Sequence, residues 1–156
     1  MKRFTIIFTV LLFLAFGGTL LYVNMSPDFE EPKAFVGANE NPDDPVWDMS
    51  MEDLLSALAE QGLIDRATEM VTACAGVSSD ARSVSGAEFY WWDVENLSED
   101  SAEMEAYQSM KEEGSIDLWN SGYIMTVTSN GPFGVNLSRY TGDVGELERA
   151  FQEFGH

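Results

Sequence analysis

The sequence predicts an α+β domain behind an N-terminal transmembrane helix, with a small antiparallel sheet of about three strands packed against about four helices. Three observations lead to this prediction. Residues 4–23 contain no charged residue, four later segments carry apolar residues at helical spacing, and three short segments are aromatic-rich or alternate between apolar and polar residues. The elements follow in the order helix, helix, strand, helix, strand, strand, helix. We expect the helices to cover one face of the sheet.

The apolar run Phe4–Val23 has the length of a membrane-spanning helix. Twenty helical residues at about 1.5 Å each reach about 30 Å, the thickness of the hydrocarbon core of a bilayer. Because Lys2 and Arg3 precede the run, we expect the N-terminus in the cytoplasm and everything after Val23 outside. Cleavage at Ala15-Phe16-Gly17 would instead secrete the chain. Residues 1–23 are therefore predicted to be a transmembrane anchor or signal, with the membrane as a partner through residues 4–23.

Charge excludes one class of partner. The 156 residues include 8 Lys+Arg and 27 Asp+Glu, for a net charge of −19, and the part after Val23 carries 6 − 27 = −21. Such a polyanion repels phosphate backbones, so we expect no nucleic-acid partner. Residues 24–48 contain four prolines and seven acids, which predicts an acidic Pro-rich linker. Residues 49–156 remain as an extracytoplasmic α+β domain, large enough to fold without a disulfide bond.

The first two predicted helices form a hairpin. Ser50 begins the first helix with a near capping box, and Gly62 ends it. The second helix is predicted from Asp65 to Gly76. The apolar stripes are Met51, Leu54, Leu55 and Leu58 in the first helix, and Ala67, Met70, Val71 and Cys74 in the second. Cys74, the only cysteine, is accordingly expected to be a buried structural thiol.

The remaining elements are a strand, a helix, a β-hairpin and a helix. Their ranges are residues 87–94, about 98–113, 123–137 and about 143–154. Within the hairpin, Ser129-Asn130-Gly131-Pro132 connects the two strands. These patterns do not determine the strand order, and they leave open a further strand near Val77 or Val84.

Catalytic motifs are missing from the sequence. The only histidine is His156, the last residue, so the Ser-His-Asp, Cys-His and HExxH arrangements do not occur. The glycines form neither a P-loop nor a GxGxxG pattern after a strand. We therefore assign no catalytic residue, metal ligand or cofactor. A pair of carboxylates is all that a glycosidase requires, so a small hydrolase of envelope polysaccharide is the alternative function. The acids nearest to predicted strands are Glu88, Asp93, Glu95 and Asp117.

Alternation along the strands predicts one candidate binding face. If Tyr123, Met125, Val127, Phe133, Val135 and Leu137 face the core, then Thr126, Thr128 and Asn136 face away from it. Tyr90 and Trp92 share one side of the aromatic strand and would form a platform beside these polar residues. Such a platform suits a sugar, a peptide or a partner protein. Alternatively, Tyr90 and Trp92 belong to the core of a strand that is buried on both faces.

The predicted function is a membrane-anchored extracytoplasmic binding or interaction domain without enzymatic activity. Its partner would be an envelope protein or polymer, and its predicted binding residues are Tyr90, Trp92, Thr126, Thr128 and Asn136. The high negative charge also leaves open a domain that gathers calcium weakly.

Overall fold

A computed structural model of the chain describes Asn41 and residues 43–156. The three α-helices are α1 (Met51–Glu60), α2 (Ala102–Glu113) and α3 (Val144–Glu153). The seven strands are β1 (Met70–Val71), β2 (Asp80–Val84), β3 (Ala87–Trp91), β4 (Ser115–Asp117), β5 (Ile124–Thr126), β6 (Thr128–Asn130) and β7 (Phe133–Asn136). Short 3-10 turns cover Pro45–Asp48, Arg66–Thr68 and Leu118–Asn120. Among the described residues no helix is long and apolar enough to cross a membrane. The apolar run at residues 4–23 lies outside them, as does the linker up to residue 40.

The strands form two antiparallel sheets. The larger sheet has the order β1-β2-β3-β7-β6, and the smaller one pairs β4 with β5. Only Val127 separates β5 from β6, and its amide donates to the Gly114 carbonyl at 2.9 Å. One nearly continuous strand therefore passes from the small sheet to the large one. In the large sheet β3 is central, since Tyr90 lies opposite Ala81 of β2 and Gly134 of β7.

The predicted count of about four helices and three strands is wrong. The expected helix from Asp65 to Gly76 is replaced by the turn Arg66–Thr68 and the edge strand β1. Its apolar stripe has no partner to cover it: Met70 and Val71 are 63% and 71% exposed, and their backbone pairs with β2. Asp65 ends up capping the 3-10 turn, where its carboxylate accepts a hydrogen bond from the Ala67 amide at 2.9 Å.

Two other predictions concern residues 74–84. Cys74 lies in the loop after β1 and is partly exposed, so the expectation of a buried thiol on a helix is wrong. The strand that the sequence pattern left open near Val84 is present as β2.

Helices cover both faces of the large sheet, which corrects the expectation that they pack over one face. On one face α1 and α3 pack against Phe89, Phe133 and Val135. On the other face α2 contributes Ala106, Tyr107 and Met110 to a second core with Tyr90, Trp92 and Val127. Because β3 is covered on both faces, Phe89 and Tyr90 are both buried, while Trp91 at the end of the strand is partly exposed.

The other predicted helices are confirmed, with local signals at their ends. The Ser50 amide donates to the Asp53 carboxylate at 2.8 Å and the Asp53 amide donates to the Ser50 hydroxyl at 3.3 Å, which completes the predicted capping box. Ser101 and Asp143 cap α2 and α3 without a reciprocal bond: their side chains accept from the Met104 and Glu146 amides respectively. α2 ends at Gly114, whose φ of +65° is the left-handed conformation that glycine adopts most easily.

Candidate functional site

The two aromatic residues of the predicted binding face lie in the core. Tyr90 is 6% exposed and Trp92 is fully buried, because α2 covers this face of the sheet. The Trp92 indole N–H donates to the Val77 carbonyl at 2.8 Å, and the Tyr90 hydroxyl donates to the Glu88 carboxylate at 3.1 Å. Burial, followed by the negative charge of Glu88, raises the pKa of Tyr90. The structure therefore has the core arrangement that the sequence allowed, rather than an exposed platform.

The three polar residues of the predicted face lie on different parts of the surface and interior. Asn136 is buried, and its side-chain amide donates to the Thr126 carbonyl at 2.7 Å, which joins β7 to β5. The Thr128 hydroxyl donates to the Glu148 carboxylate of α3 at 3.1 Å. The structure thus brings Asn136 and Thr126 together but forms no exposed face that includes Tyr90 and Trp92. A binding role for these five residues stays a prediction.

Three of the four acids considered for hydrolysis, Glu88, Asp93 and Asp117, accept hydrogen bonds from residues nearby in the chain. Both carboxylate oxygens of Asp93 accept from the Asn96 side chain at 2.9 Å, and the Asp117 carboxylate accepts from the Gly122 amide at 2.9 and 3.2 Å. Elsewhere, the pKa values of Glu52 and Asp53 are lowered, chiefly by hydrogen bonds from Arg66 and Ser50 respectively. A carboxyl group that acts as a general acid requires a raised pKa instead.

Exposed apolar residues gather at the connection between β4 and β5. Trp119, Tyr123 and Ile124 are 56%, 62% and 61% exposed, and we call these three residues the hairpin apex. Tyr123 was expected in the core by alternation. It precedes β5, however, and so does not follow the alternation of that strand, in which only Met125 is buried. Alternation along the strand did place Ile124 on the face away from the core, but without knowledge of the β4–β5 pairing no signal in the sequence marked the three residues as a group.

Hydrogen bonds hold the apex loop in one conformation. The Leu118 amide donates to the Tyr123 carbonyl at 3.1 Å, and the Trp119 indole N–H reaches the Ala75 carbonyl at 3.0 Å. Trp119 and Asn120 have φ values of +56° and +51°, a conformation that is rare for a tryptophan. Backbone strain of this kind persists only where surrounding contacts impose it, and it concentrates at functional sites.

A cleft lies at the end of β3, with a volume of about 110 Å³. The 3-10 turn Pro45–Asp48 supplies one wall, β3 and the residues after it supply a second, and the β6–β7 turn supplies the third. We call this space the tryptophan cleft. Its lining consists of Trp47, Asp48, Trp91, Trp92, Asp93, Val94, Glu95 and Pro132.

Backbone and side-chain hydrogen bonds position these walls. The Trp47 indole N–H donates to the Asn41 carbonyl at 2.9 Å, and the Trp92 amide donates to the Pro132 carbonyl at 3.0 Å. The lining therefore includes three tryptophans, of which Trp92 is fully buried, and three acidic residues, and none of the described residues that line the cleft is basic. The sequence pattern placed Trp91 and Trp92 in a predicted strand. It placed Trp47 in the predicted linker, so Trp47 was not recognised as a neighbour of that strand.

A second, smaller cleft of about 80 Å³ lies between the N-terminal part of α2 and the apex loop. Its polar lining includes Glu105, Ser109, Asp117 and Asn120. No group of three His, Cys, Asp or Glu residues suited to a metal ion occurs within residue 41 and residues 43–156.

Comparison with known proteins finds no matching family model, no matching curated protein and no matching solved structure.

Proposed function

We propose that the chain is a membrane-anchored, extracytoplasmic and non-enzymatic domain that binds a partner protein through the hairpin apex. One observation carries this proposal: three large apolar side chains, each more than half exposed, lie within the six residues 119–124. Trp and Tyr are over-represented among the residues that dominate binding energy at protein interfaces. Their loop is held by hydrogen bonds, so little conformational entropy is lost when a partner binds.

The composition of the apex favours a protein partner over a polysaccharide. Stacking against a sugar requires only aromatic rings such as those of Trp119 and Tyr123. Ile124 adds an aliphatic side chain of equal exposure, which gains free energy mainly by burial against other apolar groups. An envelope polymer is therefore the other outcome of the test below.

Placement outside a membrane is supported by the sequence before the described residues. The charge-free run Phe4–Val23 follows Lys2 and Arg3, and the remainder of the chain carries −21. With this topology the anchor restricts the apex to partners in or near the same membrane.

The contact surface can be tested by photocross-linking in the native membrane. A p-benzoylphenylalanine that replaces Tyr123 should give a discrete protein adduct, whereas the same group in place of the exposed Arg149 on α3 should not. The captured protein, once purified, should bind the full-length chain and lose about tenfold or more in affinity for the double variant Tyr123→Ser/Ile124→Ser.

The matched control removes two exposed apolar side chains elsewhere. Met70→Ser/Val144→Ser should bind the purified partner as the unaltered chain does, since Met70 and Val144 lie at β1 and at the start of α3. Equal adducts from positions 123 and 149, or equal losses in the two double variants, would contradict a specific contact at the apex. A carbohydrate adduct would assign the apex to a polymer.

Topology can be tested with the single native cysteine. Cys74 is partly exposed and should react with a membrane-impermeant maleimide on intact cells, while a Cys74→Ser variant should not. If Cys74 reacts slowly even after lysis, Glu153→Cys in the Cys74→Ser background offers a thiol at an exposed position in its place. Labelling that occurs only after lysis would overturn the extracytoplasmic placement.

A further inference from the structure

We infer that the tryptophan cleft is a binding site for a small methylated ammonium ion of the trimethylammonium type. The cleft shares no lining residue with the hairpin apex, so this site is independent of the proposed protein contact. Its ligand class follows from the chemistry of the lining, its volume and its charge.

The lining attracts a cation through two kinds of group. Trp47 and Trp91 are partly exposed and Trp92 is buried, and tryptophan has the most negative ring face of the aromatic residues. Asp48, Asp93 and Glu95 add three carboxylates, and among the described residues no lysine, arginine or histidine lines the cleft. The carboxylates therefore repel an anion, and they attract a cation more strongly than a neutral ligand, which gains only hydrogen bonds from them.

The hydrogen bonds of the cleft favour a methylated ammonium over a primary one. A primary ammonium must exchange its strongly held water for hydrogen-bond acceptors. Here each oxygen of Asp93 already accepts one hydrogen bond from Asn96, and Asp48 and Glu95 are exposed, so the acceptor sites left for a primary ammonium are ones for which water also competes. A trimethylammonium group has no N–H donors and is weakly hydrated, so it loses little when indole rings replace its water.

Size is consistent with this ligand class. A volume of about 110 Å³ is too small for a sugar chain or a helical peptide but accommodates one compact group of a few heavy atoms. Pro132 and Val94 add apolar surface that methyl groups can contact.

The test uses choline as the probe and the full-length protein in a maltoside detergent, which carries no ammonium group. Two of the chain's four tryptophans, Trp47 and Trp91, line the cleft and are partly exposed, so binding should change the tryptophan fluorescence. Choline should bind more tightly than 3,3-dimethylbutan-1-ol, its neutral isostere, and more tightly than n-butylammonium. Equal binding of choline and the neutral isostere, or tighter binding of n-butylammonium, would overturn the proposal.

Variants with the same change in net charge distinguish binding in the cleft from nonspecific attraction by the negative charge of the whole protein. Asp48→Asn/Glu95→Gln should weaken choline binding by about five- to tenfold, since it removes two carboxylates at the cleft. Glu60→Gln/Glu153→Gln changes the net charge equally at exposed sites outside the lining and should leave the affinity unchanged. Equal effects of the two double variants would reduce the interaction to nonspecific attraction and contradict a site.

The aromatic contribution has its own variants. Trp47→Phe should retain most of the preference for choline over its neutral isostere, and Trp47→Leu should abolish most of it. Because Trp47 also packs against both cores, each variant must first show a cooperative melt. If Trp47→Leu fails to fold, the carboxylate variants still decide the proposal.

The same chemistry occurs in a free solute and in a lipid headgroup, and nanodiscs distinguish these sources. A lower apparent affinity for free choline in phosphatidylcholine discs than in phosphatidylglycerol discs would identify the headgroup as a competing ligand. Equal affinities in both discs would assign the site to a soluble ammonium compound. No choline binding in either disc would contradict the site.

Discussion

The Sδ atom of Met110 lies 2.6 Å from the position that a Cβ atom on Gly134 would occupy. Val127 and Trp92 surround the same position at 2.8 and 3.1 Å. Gly134 lies on β7 between Tyr90 of the central strand β3 and Ser129 of the edge strand β6. The missing side chain at this residue lets α2 pack directly on the sheet, and this contact buries the aromatic residues that the sequence alone left ambiguous.

Gly134→Ala should therefore lower the free energy of unfolding by about 1–3 kcal/mol, the usual cost of overpacking a core. Urea unfolding of the full-length chain measures this change. Gly145→Ala is the matched control, because a Cβ there meets only the Asp143 carboxylate at an ordinary 3.6 Å. Within α3 alanine should raise the free energy of unfolding by about 0.5–1 kcal/mol. Equal effects of the two substitutions would contradict a close contact at Gly134.

Asn130 connects the β6–β7 turn to the end of α3. Its buried side-chain amide donates to the carbonyls of Phe151 and Phe154 at 2.7 and 2.9 Å. Asn130→Ala should cost about 1–3 kcal/mol of stability, because it leaves these helix-end carbonyls without their donor. The exposed Asn96 bonds only to Asp93 among the described side chains, and Asn96→Ala should change stability by less than about 0.5 kcal/mol. Thermal melts of both variants compare the two costs.

The capping box of α1 predicts a pH-dependent effect. Ser50→Ala should cost about 1 kcal/mol at pH 7 by removing an N-cap. Hydrogen bonds from Ser50 lower the pKa of Asp53 below its ordinary value of 3.8, so the ionised carboxylate favours the fold. The stabilisation from the ionised Asp53 carboxylate is complete above the ordinary pKa of 3.8. It is lost as the pH falls through the lowered pKa of the folded state. The difference between the original chain and Ser50→Ala should thus shrink below about pH 4.

Ser101→Ala is the control for this pH dependence. Ser101 caps α2 by accepting a hydrogen bond from the Met104 amide at 3.2 Å, and no carboxylate occupies the position equivalent to Asp53. Its removal should have a similar cost at neutral pH. Denaturant unfolding between pH 2 and pH 7 measures the loss in free energy of unfolding for Ser50→Ala and Ser101→Ala. The same pH dependence of this loss in both variants would contradict a role for Asp53.

The buried phenol of Tyr90 should make the protein less stable at alkaline pH. Because burial raises the pKa of its phenol, the protonated form favours the fold. This contribution is complete below the ordinary pKa of 10.0 and is lost as the pH rises above it, when the unfolded chain ionises first. Tyr90→Phe should cost about 1 kcal/mol at pH 7, through the lost hydrogen bond to Glu88, and this cost should shrink above pH 10.

The control for Tyr90 is the exposed Tyr123. Tyr123→Phe should change stability little at either pH, because its ring is 62% exposed. Tyr140 also has a raised pKa through burial, so part of the alkaline loss should persist in the Tyr90→Phe variant. Chemical unfolding at pH 7 and at pH 11 compares the variants, and an undiminished cost of Tyr90→Phe at pH 11 would contradict this account.

Several elements were correctly predicted because their signals act over a few residues. A capping serine, an apolar stripe and a terminal glycine lie within three turns of helix, and they located α1 and α2. The helical spacing of apolar residues gave a wrong prediction for Asp65–Gly76, where Met70 and Val71 form an edge strand. A helical stripe stabilises a helix only if another element covers it, and among the described residues none covers Met70 and Val71.

The candidate sites were less predictable. The apex exists because β4 pairs with β5 and leaves Ile124 on the outer side, and the tryptophan cleft exists because the turn that carries Trp47 lies against the end of β3. Both depend on contacts between residues that are distant in the chain.

By itself, the sequence predicted the three helices that form, together with a fourth that does not, the aromatic strand β3, and a strong negative charge from which we expect no nucleic-acid partner. Only the tertiary structure decided the size of the sheet, the burial of Tyr90 and Trp92, and the residues left exposed at the apex. The physical reason is the range of the interactions. Helix caps and stripes depend on neighbours three or four residues away, whereas Tyr90 pairs with Gly134, and its environment depends on which helix packs over that pair.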